Sequence, residues 1–166
     1  MRRMAAIHRT VSINASVEKV LEFLDSPENL AECAPDVVRV TDVTRSGQHV
    51  GDTFRLSYMA IGMTFDEAFT VTGFHLPPRT TPHRRYQIRQ VFDGGMKGRL
   101  VWTLEAQDTE CEVSIDVEYE LVGGVVGKAL DALLLGQVNE TVTGQVLERM
   151  KVILATERAG RTATRD

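Results

Sequence analysis

The stretch VVGKALDALLLGQVNETVTGQVLERMKVILATE, Val125 to Glu157, reads as one long amphipathic helix. It follows the pair Gly123-Gly124 and contains no proline. At 1.5 Å per residue it spans roughly 50 Å, more than the width of a domain of this size. Its second half carries an apolar stripe, Val142, Val146, Leu147, Met150, Ile153 and Leu154, at helical spacing. Continued backward, the same side of the helix holds small or polar residues: Ala129, Ala132, Gly136, Asn139 and Thr143. The bulky residues Val126, Leu130, Leu133 and Leu134 fall on roughly the opposite side. Two readings follow. In one, Gly136 kinks the helix and each half turns its own apolar side to the core. In the other, the small residues leave a volume beneath the helix, and the leucines form a mouth, a dimer contact or a membrane-facing patch.

A chain of 166 residues is long enough for one domain with its own core. Its apolar share of 43% and charged share of 25% are those of an ordinary globular protein. A net charge of −4 argues against nucleic acid as a partner. No apolar run reaches the length of a membrane span, and the N-terminus lacks the pattern of a signal segment. Cys33 and Cys111 stand alone, without a C-x-x-C or zinc spacing, which fits free thiols in a reducing cytoplasm. The expected location is therefore cytoplasmic.

Before the long helix the period is mostly two. Ile7 to Ile13 alternates as a first strand. Ser16 then caps a short helix carrying Val17, Val20, Leu21 and Leu24. A second short helix is expected with Ser26 as its cap and Pro27 at its first position, ending before Pro35. From Val37 to Leu121 six alternating segments follow, separated by turn signals at Ser46-Gly47, Ile61-Gly62, Pro77 to His83, Asp93-Gly94-Gly95 and Gln107 to Glu110. Six strands joined by short turns make an antiparallel meander with one apolar face, and only the last helix can cover it. The expected fold is α+β: a curved antiparallel sheet of about seven strands, two short helices and a long C-terminal helix packed across the sheet. Residues 1–157 form the single domain, and 158–166 a polar tail expected to fray.

Several segments carry a family resemblance. They are Ile13-Asn14-Ala15-Ser16-Val17-Glu18-Lys19-Val20, Asp25-Ser26-Pro27-Glu28-Asn29-Leu30, Trp102-Thr103-Leu104, and the passage from Tyr119 to Lys128. In that order they resemble the helix-grip fold of the START-like (SRPBCC) superfamily, in its polyketide cyclase/dehydrase and lipid-transport branch, across about Ile7 to Leu154. The segment from Pro27 to Pro35 also resembles the small membrane-associated subunit-G proteins of carbon monoxide dehydrogenase systems. The resemblance implies an apolar ligand such as a sterol, lipid or polyketide held between sheet and helix. In some members it implies cyclase or dehydratase chemistry.

The alternation also says which side chains face the helix. On the first strands these are Phe54, Leu56, Tyr58, Phe65 and Phe69, and further along Tyr86, Ile88, Trp102, Leu104, Ile115 and Tyr119. Together they make a broad aromatic wall suited to an apolar or ring-bearing ligand. Two polar residues share the face, Glu67 between Phe65 and Phe69, and Gln90 between Ile88 and Phe92. A carboxyl on an apolar wall is expected to have a raised pKa, because burial penalises its charged form. That suits a hydrogen bond to the ligand or general acid/base work on a carbonyl compound, unless the residue sits near a strand end or bulge and reaches water, or has a structural partner. A one-residue slip of the strand would put Asp66 in its place. Asn139 and Thr143 reach toward the same space from the helix.

No metal-ligand spacing joins His8, His49, His75 and His83, and no cofactor is expected. Gly124 to Ala129 departs from a phosphate loop, with Val122 at the leading glycine position and Ala129 in place of the hydroxyl. Arg79, His83, Arg84 and Arg85 make a basic loop, read as a solvated run or a gate at a cavity mouth. Three functions compete. The first is a carrier or sensor that binds a hydrophobic small molecule without covalent catalysis. The second is a cyclase/dehydratase-type enzyme using Glu67 with Tyr58 or Tyr86. The third is an interaction module that docks a second copy or a membrane surface through Leu130, Leu133 and Leu134.

Overall fold

A computed structural model of the chain describes residues 4–34, 36–60, 62–78, 80–121 and 129–163, excepting the side chains of 38, 60, 63, 129–135 and 156–163. The elements run β1 (Ala5–Ile13), α1 (Val17–Asp25), α2 (Asn29–Cys33), β2 (Val37–Thr44), β3 (Thr53–Ala60), β4 (Met63–His75), β5 (Arg85–Gly94), β6 (Met96–Gln107), β7 (Glu110–Leu121) and α3 (Ala129–Ala163). All seven strands form one antiparallel sheet in the order β1-β7-β6-β5-β4-β3-β2. The meander from β2 to β7 is the one its alternation predicts, and β1 closes it by pairing with β7. Bulges in β2 and in β4 between Val71 and Gly73 interrupt the ladder. Such insertions bend a strand and raise its twist, which curves the sheet.

Local chemistry sets the helices. Ser16 is extended and its hydroxyl accepts from the Lys19 N–H, so α1 starts where its cap predicts. The second helix starts later than expected. Its cap is Glu28, with no side-chain bond, because Asn29, Leu30 and Ala31 first close tight turns onto the carbonyls of Ser26, Pro27 and Glu28. The Asn29 amide donates to the Phe23 carbonyl and ties this turn to the end of α1. At the other end of the chain, α3 runs past Glu157 to Ala163, with no proline to stop it. Residues 122–128 and the side chains of Leu130, Leu133 and Leu134 lie outside the described residues.

The core has two centres. One gathers Ile13, Val20, Leu104, Val113 and the second half of α3, where Leu147, Met150 and Leu154 are buried. The other, nearer the β5–β6 hairpin, holds Ile7, Phe65, Phe92, Met96 and Tyr119. Gly136 of α3 faces this second centre, since a Cβ built on it would stand 3.7 Å from the Tyr119 hydroxyl. The small-residue side of the helix thus looks toward the sheet. Arg9 on the edge strand reaches the same helix and bonds Glu140 at 2.7 Å.

Candidate functional site

Between the two centres, sheet and helix do not meet. A partly open cavity of about 180 Å³ remains, bounded by the concave face of the sheet, by Leu30, Ala34 and Val37 around α2, and by Asn139, Val142, Thr143 and Val146 of α3. The apolar stripe of α3 is buried only from Val146 onward, with Val142 partly buried, while Gly136, Asn139 and Thr143 are too small to fill the space. Leu56, Tyr58, Glu67, Phe69, Gln90, Trp102, Ile115 and Tyr119 line the cavity from the sheet. Phe54, Phe65, Tyr86, Ile88 and Leu104, expected on the same wall, do not line it. Phe54 and Ile88 border a cleft of only about 20 Å³, little more than one water needs. Phe65 is packed in the core beside Tyr58, and Leu104 has no exposed surface. The Tyr86 hydroxyl accepts a hydrogen bond from Arg84.

Ile7, Phe92, Met96, Leu100 and Val117 also line the cavity. Phe92, Leu100 and Val117 lie two residues from Gln90, Trp102 and Ile115, so the same alternation pointed to them. Met96 sits at a hairpin, where strand period gives no direction.

Glu67 is the polar centre of this wall. It faces inward, only 1% exposed, while Asp66 takes the outer face and accepts a hydrogen bond from Ser57. The register Leu56 to Glu67 and Tyr58 to Phe65 puts Tyr58 diagonally across from the carboxyl, and its hydroxyl donates to Oε1 at 3.2 Å. The second donor comes from the β5–β6 hairpin. A Cβ on Gly94 would stand 2.0 Å from the Asp66 carbonyl, and one on Gly95 would stand 2.7 Å from the Phe65 ring. Only glycines let this hairpin close onto β4, which brings the Met96 N–H to Oε1 at 2.9 Å. Oε2 is sealed from solvent and has no hydrogen-bond partner among the described residues. Burial pushes the Glu67 carboxyl up to about 7. The Met96 and Tyr58 hydrogen bonds oppose that rise, and the Asp66 charge adds to it. Burial, then the charge of Glu67 and the hydrogen bond to it, likewise raises the Tyr58 hydroxyl.

Around this centre, the Met96 sulfur lies 3.7 Å from the Tyr58 hydroxyl and 3.6 Å from the Asn139 amide nitrogen. The Thr143 hydroxyl is committed to the Asn139 carbonyl at 2.7 Å. The cavity lining is therefore mostly apolar, with Glu67, Gln90, Asn139 and Thr143 its polar members among the described residues.

Other candidate groups are differently placed. Asp25, His49 and Asp52 come together, but Arg45 already bonds both carboxylates and Ser46 donates twice to Asp52. Burial alone would raise Asp52, yet the Ser46 hydrogen bonds and the Arg45 charge hold it below the ordinary carboxylate range. In the basic loop Arg84 pairs with Glu18 and Arg85 with Glu105, while Arg79 lies outside the described residues. A hollow of about 390 Å³ on the outer face is lined by charged side chains, among them the bonded pair Arg99 and Glu118. No described helix is long and apolar enough to cross a membrane.

The family model for polyketide cyclase / dehydrase and lipid transport matches residues 4–154. The chain belongs to this family. That family falls within the START-like (SRPBCC) superfamily, and the solved neighbours of this chain share its fold. A protein of Thermus thermophilus superposes with a TM-score of 0.72 at 15% identity, covering 92% of this chain and 99% of that one. The Zhui aromatase/cyclase from Streptomyces sp. R1128 gives 0.72 at 19% identity, covering 92% and 94%. A START superfamily protein from Mycobacterium smegmatis gives 0.59 at 17% identity, covering 97% and 99%. No curated protein matches by sequence.

Proposed function

We propose that the protein binds a hydrophobic, ring-bearing small molecule between its sheet and α3, as a carrier or sensor without covalent catalysis. The observation that supports this is a largely apolar cavity of about 180 Å³ whose described lining includes one buried carboxyl, that of Glu67. An engineered apolar cavity of roughly 150 Å³ is enough to hold benzene. This one takes a ring, and a longer ligand extends through the open side. Leu56, Phe69, Trp102, Ile115 and Tyr119 supply the apolar contact, and Glu67, Gln90 and Asn139 the polar contacts. Family membership supports the same reading.

The test is to purify the protein, extract it with organic solvent and analyse the extract by mass spectrometry beside a Gly136→Leu variant. A small apolar molecule in the first extract, depleted in the second, is the expected result. Equal extracts from both would sink the reading.

A second reading is a cyclase or dehydratase acting on a polyketone. It draws on the hydrogen bond from Tyr58 to Glu67, since a carboxyl titrating near 7 can exchange a proton with a carbon beside a carbonyl. Tyr58 is its partner in that scheme, because the Tyr86 hydroxyl is engaged by Arg84 and lies outside the cavity lining. Turnover of a trial polyketone that disappears in Glu67→Gln is the outcome that would favour this reading over the carrier.

A further inference from the structure

The two oxygens of Glu67 are not equivalent. Oε1 accepts from the Met96 N–H at 2.9 Å and from the Tyr58 hydroxyl at 3.2 Å, while Oε2 has no partner among the described residues. In a neutral carboxyl the carbonyl oxygen is the acceptor and the hydroxyl oxygen the donor. Two donors on Oε1 therefore place the acid proton on Oε2. From this arrangement, which rests on the cavity reading above, we infer that Glu67 is the specificity-determining residue of the site: its Oε2–H selects an uncharged ligand whose buried end carries a hydrogen-bond acceptor, and it rejects a ligand that carries an ammonium group there.

The physical case has three parts. A buried donor without an acceptor is costly, so a ligand that supplies one recovers what the empty site loses. An ammonium group would need the ionised carboxylate, and both charges would have to leave water for an apolar wall. Access requires only small motions. Oε2 exposes no surface to water and Oε1 is held by two hydrogen bonds, so the side chains packed over Oε2 give way rather than the carboxyl turning. The neighbouring Met96 side chain is unbranched and adaptable.

Among the described residues, Tyr58 on β3, Asp66 beside Glu67 on β4 and Tyr119 on β7 are the titratable groups nearest to the carboxyl, while β5, β6 and α3 contribute Gln90, Met96 and Asn139, all uncharged. Among the described residues, then, no cation offsets a charge on Glu67 from inside the cavity. The carboxyl titrates near 7, so acceptor recognition holds in acid and fades in base.

Three ligands on one skeleton separate the possibilities: acetophenone, ethylbenzene and 1-phenylethylammonium. Their affinities are measured by NMR titration of the whole chain at about pH 5.5 and about pH 8.5, either side of the Glu67 titration. Acetophenone is expected to bind roughly five- to tenfold more tightly than ethylbenzene in acid, and to lose that advantage in base. In Glu67→Gln the side-chain N–H₂ replaces the O–H as donor, so the ketone preference should persist at both pH values. Equal binding of ketone and hydrocarbon under all conditions overturns the inference while leaving the cavity reading intact. So does stronger binding of the ammonium ligand in acid. Failure of all three to bind, with the fold verified by circular dichroism, overturns the cavity reading as well.

Discussion

Replacing Glu67 by glutamine keeps the shape of the side chain and both hydrogen bonds at its first oxygen, but removes the titration. The folded protein holds this carboxyl near 7, against an ordinary value of 4.5. Below the lower value the group is neutral folded and unfolded, and above it the unfolded chain ionises first. The contribution of Glu67 to stability therefore falls as pH rises from about 4.5 to about 7 and then levels off. Glu67→Gln is free of that loss. It should melt higher than wild type at pH 8, by up to about 3 kcal/mol, and no higher at pH 4. A constant difference across that range in thermal melts would contradict the assignment. Gly98 makes the opposite kind of prediction. A Cβ there would meet the Glu118 carbonyl at 2.0 Å and the Phe92 ring at 2.8 Å. Gly98→Ala should cost about 2 kcal/mol or more, read from urea unfolding. The inward turn of Glu67 was legible because a strand shows its period over several residues, with Phe65 and Phe69 as flanks. The role of Met96 was not, because it acts through its backbone N–H at a hairpin, where the period ends.

Individual elements follow their local signals closely where a side chain supplies the signal. Ser16 starts α1 through one hydrogen bond, and Ser16→Ala should lower stability by about 1 kcal/mol in chemical denaturation. The start of α2 departs from its sequence signal because Ser26 resembles a cap, whereas its carbonyl, not its hydroxyl, receives the bond. In α3, Gly136 separates helix stability from ligand space. A methyl group there stands at ordinary contact distance from Tyr119, so Gly136→Ala should raise the melting temperature, by about 1 kcal/mol of helix propensity. Gly136→Leu should instead remove ring binding in the NMR titration while the circular dichroism spectrum keeps its helical bands. The sequence set out two possibilities for the first half of this helix, a kink or a gap. The gap is present because the small residues look toward Tyr119 and Met96, an orientation that depends on where the whole helix docks.

At the scale of the molecule, docking is fixed by Leu147, Met150 and Leu154 against one core centre, with Arg9 and Glu140 aligning the helix at the sheet edge. That ion pair is half exposed and contributes more to position than to stability. Composition and period could give the concave sheet and its covering helix, but not the distance between them. Phe54, Tyr86 and Leu104 show why: alternation assigns a face, and depth depends on which element lies above. A ligand of the cavity binds only the folded chain. Acetophenone at a hundred times its dissociation constant in acid should therefore stabilise the protein by about 2.7 kcal/mol, seen as a concentration-dependent rise in melting temperature.

A half-open space of about 180 Å³ works as a gauge of width, not of length. On the binding reading proposed above, a ligand of more than about one ring fills that space with one end and leaves the remainder in water. Such a ligand would show its far end to solvent while its ring is still held, and that end stays open to chemical labelling in the complex.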